Sequence, residues 1–306
     1  MLRYVLKRIA YGILTLFVLI TLTFFMMRAL PGDPFIGDKT PSPTTLANME
    51  AKYGLDKPPI VQYFVFLGNC VRGDLGVSIS YENRSVNEII LSSFPISMDL
   101  GARAILFALI AGILLGAVAA VKRGSITDSL SMFIAIVGVS VPSFILGALL
   151  QYFLAVKLRL VPVQGWGTFA QTLLPSFALG MSSLATISRL MRTSMLDVLS
   201  QDYIKTAKAK GLSQGKILWR HALRNAIMPV ITIIGPTVAA VFTGSFVVES
   251  IFNIPGLGKY FVMSIKDKDF TMISGTTIFY GGLLILCTLI VDLLYGVVDP
   301  RVKLEG

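Results

Sequence analysis

His221 is the only histidine in the 306 residues, which argues against a histidine-based zinc site or Ser-His-Asp catalysis built from this chain alone. Cys70 and Cys287 lie far apart in unrelated apolar contexts without metal-ligand spacing, and they read as packing residues. Gly211-Leu212-Ser213-Gln214-Gly215-Lys216-Ile217 has the outline of a phosphate-binding loop. It is one residue short between the glycines, however, and no Ser or Thr follows the lysine, so it is not a nucleotide site. No HExxH, GxSxG or paired-carboxylate pattern is present. Two charges fall in apolar stretches, where ionisable groups are costly and usually functional. Arg103 follows Asp99 by four residues and reads as a local ion pair or a snorkelling side chain. Asp292 has no second carboxylate or histidine to pass a proton to, which favours a packing role over proton relay. The expectation is a chain without catalytic residues, bound cofactor or metal.

The composition explains what these residues are set in. With 54% hydrophobic and 14% charged residues and a mean hydropathy of +0.75, the chain is too apolar for one soluble core and its polar shell. The net charge of +10 does not indicate nucleic acid, because the basic residues cluster in short segments between apolar runs. A membrane span needs about 20 apolar residues. Six stretches qualify: Ile9 to Met27, Leu100 to Val121, Ser129 to Val156, Thr172 to Met191, Ile227 to Val248 and Gly275 to Val298. The first is too long for a signal peptide, and its end lacks small cleavage-site residues. Placing both termini in the cytoplasm puts Arg3, Lys7, Arg8, Lys122, Arg123, the basic run from Arg189 to Arg224, Arg301 and Lys303 on the inner side. The predicted organisation is all-α. It comprises a tail and first span over 1–30, an extracytoplasmic helical subdomain over 31–99, a five-helix core over 100–298 containing a cytoplasmic loop at 192–226, and a tail over 299–306.

The loop is the most informative segment. From Ser194 to Gly211, Leu196, Leu199, Tyr203 and Ala207 fall at helical spacing, and Lys205 and Lys208 point elsewhere. Lys208 and Lys210 suit the last turn of this amphipathic helix, and Gly211 can take the left-handed position that closes it. Ser213 reads as the N-cap of a second helix carrying Ile217, Leu218, Arg220 and Leu223, which Pro229 leads into the fifth span. Such a basic loop can lie on anionic headgroups or dock on a protein. The small residues Ala207, Ala209 and Gly211 permit close approach and anchor poorly in lipid, which favours a protein partner.

The stretches Asp202-Tyr203-Ile204-Lys205-Thr206-Ala207-Lys208-Ala209-Lys210-Gly211-Leu212 and Arg220-His221-Ala222-Leu223-Arg224-Asn225-Ala226 resemble the coupling loop of peptide-type ABC importer permeases. The resemblance extends through Pro31-Gly32-Asp33-Pro34, Gly73-Asp74-Leu75-Gly76, Glu249 to Gly258 and Asp299-Pro300-Arg301. It implies a type I permease fold of about six spans in a bacterial inner membrane. It also implies a second homologous permease, two cytoplasmic ATPase subunits that hold ATP and Mg, an extracytoplasmic peptide-binding protein, and oligopeptides as cargo. Carried over by position, Asp202, Tyr203, Thr206, Ala207, Ala209, Lys210, Gly211, Leu212 and Arg220 would form the ATPase-coupling surface. Lys205 and Thr206 stand where importers in general carry Glu-Ala, a departure that peptide-type members share.

Pro142, Pro175, Pro229 and Pro236 must kink the spans that contain them. Bent helices around Gly235-Pro236 and Gly244-Ser245 could line a moving pathway or simply pack. Glu249 to Gly258, with a tight turn at Pro255-Gly256-Leu257-Gly258, reads equally as an external gate or as a structural re-entrant turn. Gly235, Pro236, Gly244, Ser245, Glu249, Pro255 and Gly256 are therefore the candidate gate or pathway residues. The rival to an ATP-driven permease subunit is a carrier or channel driven by an ion gradient, which requires the intramembrane charges that this sequence largely lacks.

Overall fold

The computed structural model describes residues 2–29, 54, 56–81, 84–243 and 245–298, with the side chains of 2–4, 243 and 291–298 excepted. Pro31-Gly32-Asp33-Pro34, the 31–53 part of the predicted extracytoplasmic subdomain, Gly244, the Asp292 side chain and Asp299-Pro300-Arg301 lie outside the described residues. Among those that are described there are helices and no strand, the one bridge joining Val77 and Ser85. The chain divides into two compact units, Met1–Ile96 with Pro255–Gly306, and Ser97–Ile254.

In the first unit, α1 (Leu2–Ala29) packs along α12 (Phe270–Val298), with Gly12 against Ile285 and Gly281 against Leu19. Helix α2 (Pro59–Val71) docks on α1 through Tyr63, whose hydroxyl lies 2.8 Å from Thr21 Oγ1 and whose ring meets Phe24 and Phe25. Helix α11 (Leu257–Lys266) lies against α12. Buried Asp269 caps α12 by accepting from the Met272 N–H at 2.9 Å. Its other oxygen accepts from Ser78 Oγ and from the Ile79 and Ser80 N–H groups, fastening the sequence-distant 78–80 segment to the helix end. Helix α3 (Val86–Val121) starts well before the predicted Leu100, inside the segment read as an extracytoplasmic subdomain. A reciprocal Ser85–Glu88 capping box sets that start: the Glu88 N–H donates to Ser85 Oγ and the Ser85 N–H to Glu88 Oε2, each at 3.1 Å.

The second unit is organised around α6 (Phe169–Leu199). Packed on it are α4 (Ile126–Ser140), α5 (Ser143–Leu150), α9 (Met228–Thr243) and α10 (Phe246–Ile251). Close approach to α6 depends on glycine. A Cβ on Gly112 or Gly116 of α3 would run into Ile187, Met191 and the α6 backbone, and a Cβ on Gly138 of α4 would meet the Met181 carbonyl at 2.9 Å.

Among the described residues, α1, α3 and α12 are long and apolar enough to cross a membrane, and two bent pairs bring the number to five. The predicted span Thr172 to Met191 lies within α6, which is long enough but carries more polar residues. It buries Thr172, Ser176 and Ser188 among neighbouring helices and does not present them to lipid. The predicted single span Ser129 to Val156 is broken. Pro142 forces Val141 into extended backbone (φ −96°, ψ 120°), and α4 turns by 109° into α5, which continues as a π-helical turn over Gln151–Lys157.

Candidate functional site

Helix α6 does not continue into the loop as one amphipathic helix from Ser194 to Gly211, as the periodicity predicts. It stops at Leu199, and Gln201 is extended (φ −71°, ψ 151°) before α7 (Asp202–Ala209) begins. This interruption shifts the phase of the apolar face. Leu196 and Leu199 are half-buried and Ala207 is buried, but Tyr203 is 42% exposed and Ile204, fully buried, takes the inward position. Ile204 and Ala207 join Met191 and Met195 of α6 and Ile217, Ala222, Ala226 and Val230 in one apolar cluster.

Helix α7 closes with a Schellman turn. The Gly211 N–H donates to the Lys208 carbonyl at 2.9 Å, the Leu212 N–H donates to the Ala207 carbonyl at 3.3 Å, and Gly211 takes φ +75°. Nothing within 4 Å would meet a Cβ on Gly211, so the glycine is required by backbone conformation and leaves open space beside the turn. The chain continues into α8 (Gln214–Ala226), which is π-helical over Ile217–Leu223 and meets α9 at a 50° bend just before Pro229. Ser213 occupies the predicted N-cap position without a side-chain cap bond. The Asn225 Nδ2 donates to the Tyr203 hydroxyl at 2.9 Å, tying α7 to α8.

The outward surface of this helical hairpin is basic. Lys205, Thr206, Lys208, Ala209, Lys210, Gly211 and Arg220 are exposed, Trp219 is 67% exposed, and Leu212 is half-buried. The pair between Lys205 and Asp202 at 2.8 Å is solvent-exposed and contributes only a few tenths of a kcal/mol or so. The structure thus gathers the predicted coupling residues Asp202, Tyr203, Thr206, Ala207, Ala209, Lys210, Gly211, Leu212 and Arg220 onto one hairpin, with Ala207 turned inward.

The candidate gate residues are spread out. Gly235 and Pro236 lie within α9, which continues through them. Ser245 and Glu249 are fully buried, with the Ser245 hydroxyl donating to Glu249 Oε1; Glu249 sits on α10, not in an outer loop. Pro255 and Gly256 belong to the first unit. The expected tight turn there is instead the start of α11, with extended Gly256 at its N-cap and Leu257 and Gly258 already helical. Arg103 and Asp99 form the expected local pair at 3.0 Å.

The motifs did not single out the Asp128–Arg192 pair. Arg192 Nε donates to Asp128 Oδ1 at 2.6 Å and Nη2 to Oδ2 at 2.8 Å, and Oδ2 also accepts from the Gly124 N–H. The Ser125-x-x-Asp128 spacing, which signals a helix start, was the available clue. No group of His, Cys, Asp and Glu suited to a metal ion occurs among the described residues.

Comparison with known proteins agrees with this architecture. Residues 112–304 match the family described as binding-protein-dependent transport system inner membrane component, and residues 1–101 match its N-terminal companion. The chain belongs to this family and is a multi-pass membrane subunit of an ABC importer. It is 47% identical over 305 residues to the dipeptide transport system permease protein of Bacillus subtilis (strain 168), covering 100% of this chain and 99% of that one. It is 43% identical over 305 residues to the oligopeptide transport system permease protein of Escherichia coli (strain K12), covering 99% and 100%. Among solved structures, an inward-facing MetNI methionine ABC transporter aligns with TM-score 0.54 at 16% identity over 69% of this chain and 96% of that one. An amino acid ABC transporter aligns with TM-score 0.52 at 14% identity over 71% and 95%. These two show the shared fold.

Proposed function

We propose that the chain imports peptides through a pathway built with a second homologous permease, energised by two cytoplasmic ATPase subunits that hold the ATP and Mg. An extracytoplasmic binding protein would deliver the peptide, and both termini would lie in the cytoplasm. The peptide assignment rests on the relatives named above. The coupling assignment is carried by one observation: α7 exposes a basic face beside a glycine turn, and its inner face, Ile204 and Ala207, belongs to the same apolar cluster as Met191 and Met195 of α6. An ATPase pair that closes on ATP would push α7, and the cluster would carry the push into α6, exchanging inward-open and outward-open states. Substitution of Gly211 by Trp fills the open space beside the turn. In complexes purified in mild detergent and reconstituted, Gly211→Trp should leave assembly of the permeases intact and uncouple ATP hydrolysis from uptake of a radiolabelled peptide. Wild-type uptake by that variant removes the coupling role. Ion-driven uptake by the chain without any ATPase selects the carrier reading instead.

A further inference from the structure

The exposed stripes of α3 and α6 differ in chemistry within one unit. On α3, beyond exposed Arg103, the solvent-open positions are Leu106, Ile110, Leu114, Val118 and Val121, which recur every three or four residues and are all aliphatic, as a lipid-facing helix requires. On α6 the exposed positions from its middle to its end are Ser182, Thr186, Arg189, Thr193 and Asp197, at the same helical spacing and all polar. Every other face of that part of α6 is buried or half-buried, with Leu184, Ile187, Met191 and Met195 in the apolar cluster.

Ser182, Thr186 and Arg189 fall within the segment predicted to lie in the bilayer. Hydrocarbon covers a stripe of a guanidinium and two hydroxyls only at a cost, so this face calls for water or polar groups. The Thr186 hydroxyl donates to the Ser182 carbonyl and the Thr193 hydroxyl to the Arg189 carbonyl, each at 3.1 Å. Their donor hydrogens are thus spent on the helix itself, and their oxygen lone pairs are what they offer outward. A row of acceptors suits a solute rich in N–H donors, such as a peptide backbone and its terminal ammonium, and Arg189 suits a carboxylate.

We infer that Ser182, Thr186, Arg189 and Thr193 line the aqueous route of the solute through the half of the subunit nearest α7, with Asp197 at its mouth. Their chemistry is that of hydrogen bonding to a peptide main chain and its charged ends. This rests on the transport reading above. It also places the pathway on the helix that runs into α7 across Ser200 and Gln201, so the element that is pushed is the element that lines the route.

The test uses the assembled transporter in proteoliposomes, with Cys70 and Cys287 replaced by Ala. Single cysteines are introduced as Ser182→Cys, Thr186→Cys and Thr193→Cys, and as Leu106→Cys, Ile110→Cys and Leu114→Cys on α3. A charged methanethiosulfonate reagent reacts only with a thiolate in water, so the α6 set should label at least about tenfold faster than the α3 set. It should do so with a rate that changes between the nucleotide-free and ATP-trapped complex. Equal rates in the two sets overturn the inference, as does an unlabelled α6 set that cross-links to the second permease in both states. Tri-alanine supplied with the binding protein should slow α6 labelling. Fast labelling without that protection leaves the pathway in place and counts against peptide as cargo, so the two readings fail separately.

Discussion

Arg192 and Asp128 meet through two parallel hydrogen bonds, of 2.6 and 2.8 Å, which fasten the first turn of α4 to the last third of α6. The carboxylate is buried and the guanidinium is about a quarter exposed, so the pair is charge-assisted and only partly shielded from water. Asp128→Asn removes one partner and leaves a half-buried cation. It should lower the stability of the purified complex by about 2 kcal/mol, read as a drop in Tm in detergent. A Tm unchanged from wild type would show the pair to be an incidental contact.

Gly211 makes a conformational demand and no steric one, which separates two kinds of substitution. Asn tolerates the left-handed region, whereas a β-branched residue is strained there by about 1–3 kcal/mol. Gly211→Asn should therefore keep most peptide uptake and Gly211→Val should lose most of it, at equal membrane levels by immunoblot. Equal uptake by the two variants would sever function from the Schellman turn.

Gly112 and Gly116 of α3 form a small-residue step against α6. A Cβ at Gly116 would approach the Met191 Cβ to 2.7 Å and the Arg192 nitrogen to 3.1 Å. Gly116→Ala should force the helices apart and destabilise the complex by about 1–3 kcal/mol. Gly215→Ala, which meets nothing within 4 Å, serves as the control and should be near neutral. The comparison is of Tm and of the detergent-extracted yield of assembled complex.

The Cys70 thiol on α2 is pushed up to about 11, chiefly by burial and secondarily by the charge of Asp74, against a lowering backbone hydrogen bond. A raised thiol pKa means little thiolate at neutral pH, and the thiolate is the nucleophile. Labelling of Cys70 by a maleimide should be slow at pH 7 and rise about tenfold per pH unit up to roughly pH 10. A plateau near pH 8.5 would place the thiol in open water.

Much of the fold was legible because lipid makes a simple demand: long apolar runs marked α1, α3, α9 and α12, and Pro142 marked a kink that in the structure is a full break. What hydropathy could not see were helices whose polarity is absorbed by protein. The first turns of α3 hold Asn87, Glu88, Ser92 and Ser93, so hydropathy assigns them to the extracytoplasmic helical subdomain and not to the span, although the Ser85-x-x-Glu88 box announces the start. The 109° size of the turn at Pro142 and the π-helical stretches have no counterpart in a single-helix period. In the 192–226 loop, helical spacing and capping signals point to the hairpin and its glycine. The inward residue was assigned to Tyr203 in place of Ile204, because one extended residue at Gln201 resets the helical phase.

That extended residue has a mechanical meaning. A continuous helix from α6 through α7 would behave as a shaft, passing on twist through its own hydrogen-bond ladder. With the ladder interrupted at Ser200 and Gln201, α7 and α6 mesh like gear teeth through Ile204, Ala207, Met191 and Met195. If α7 takes the push proposed above, the backlash between them is set by side-chain volume, and a shortened tooth at position 204 would waste part of each stroke with every partner still docked.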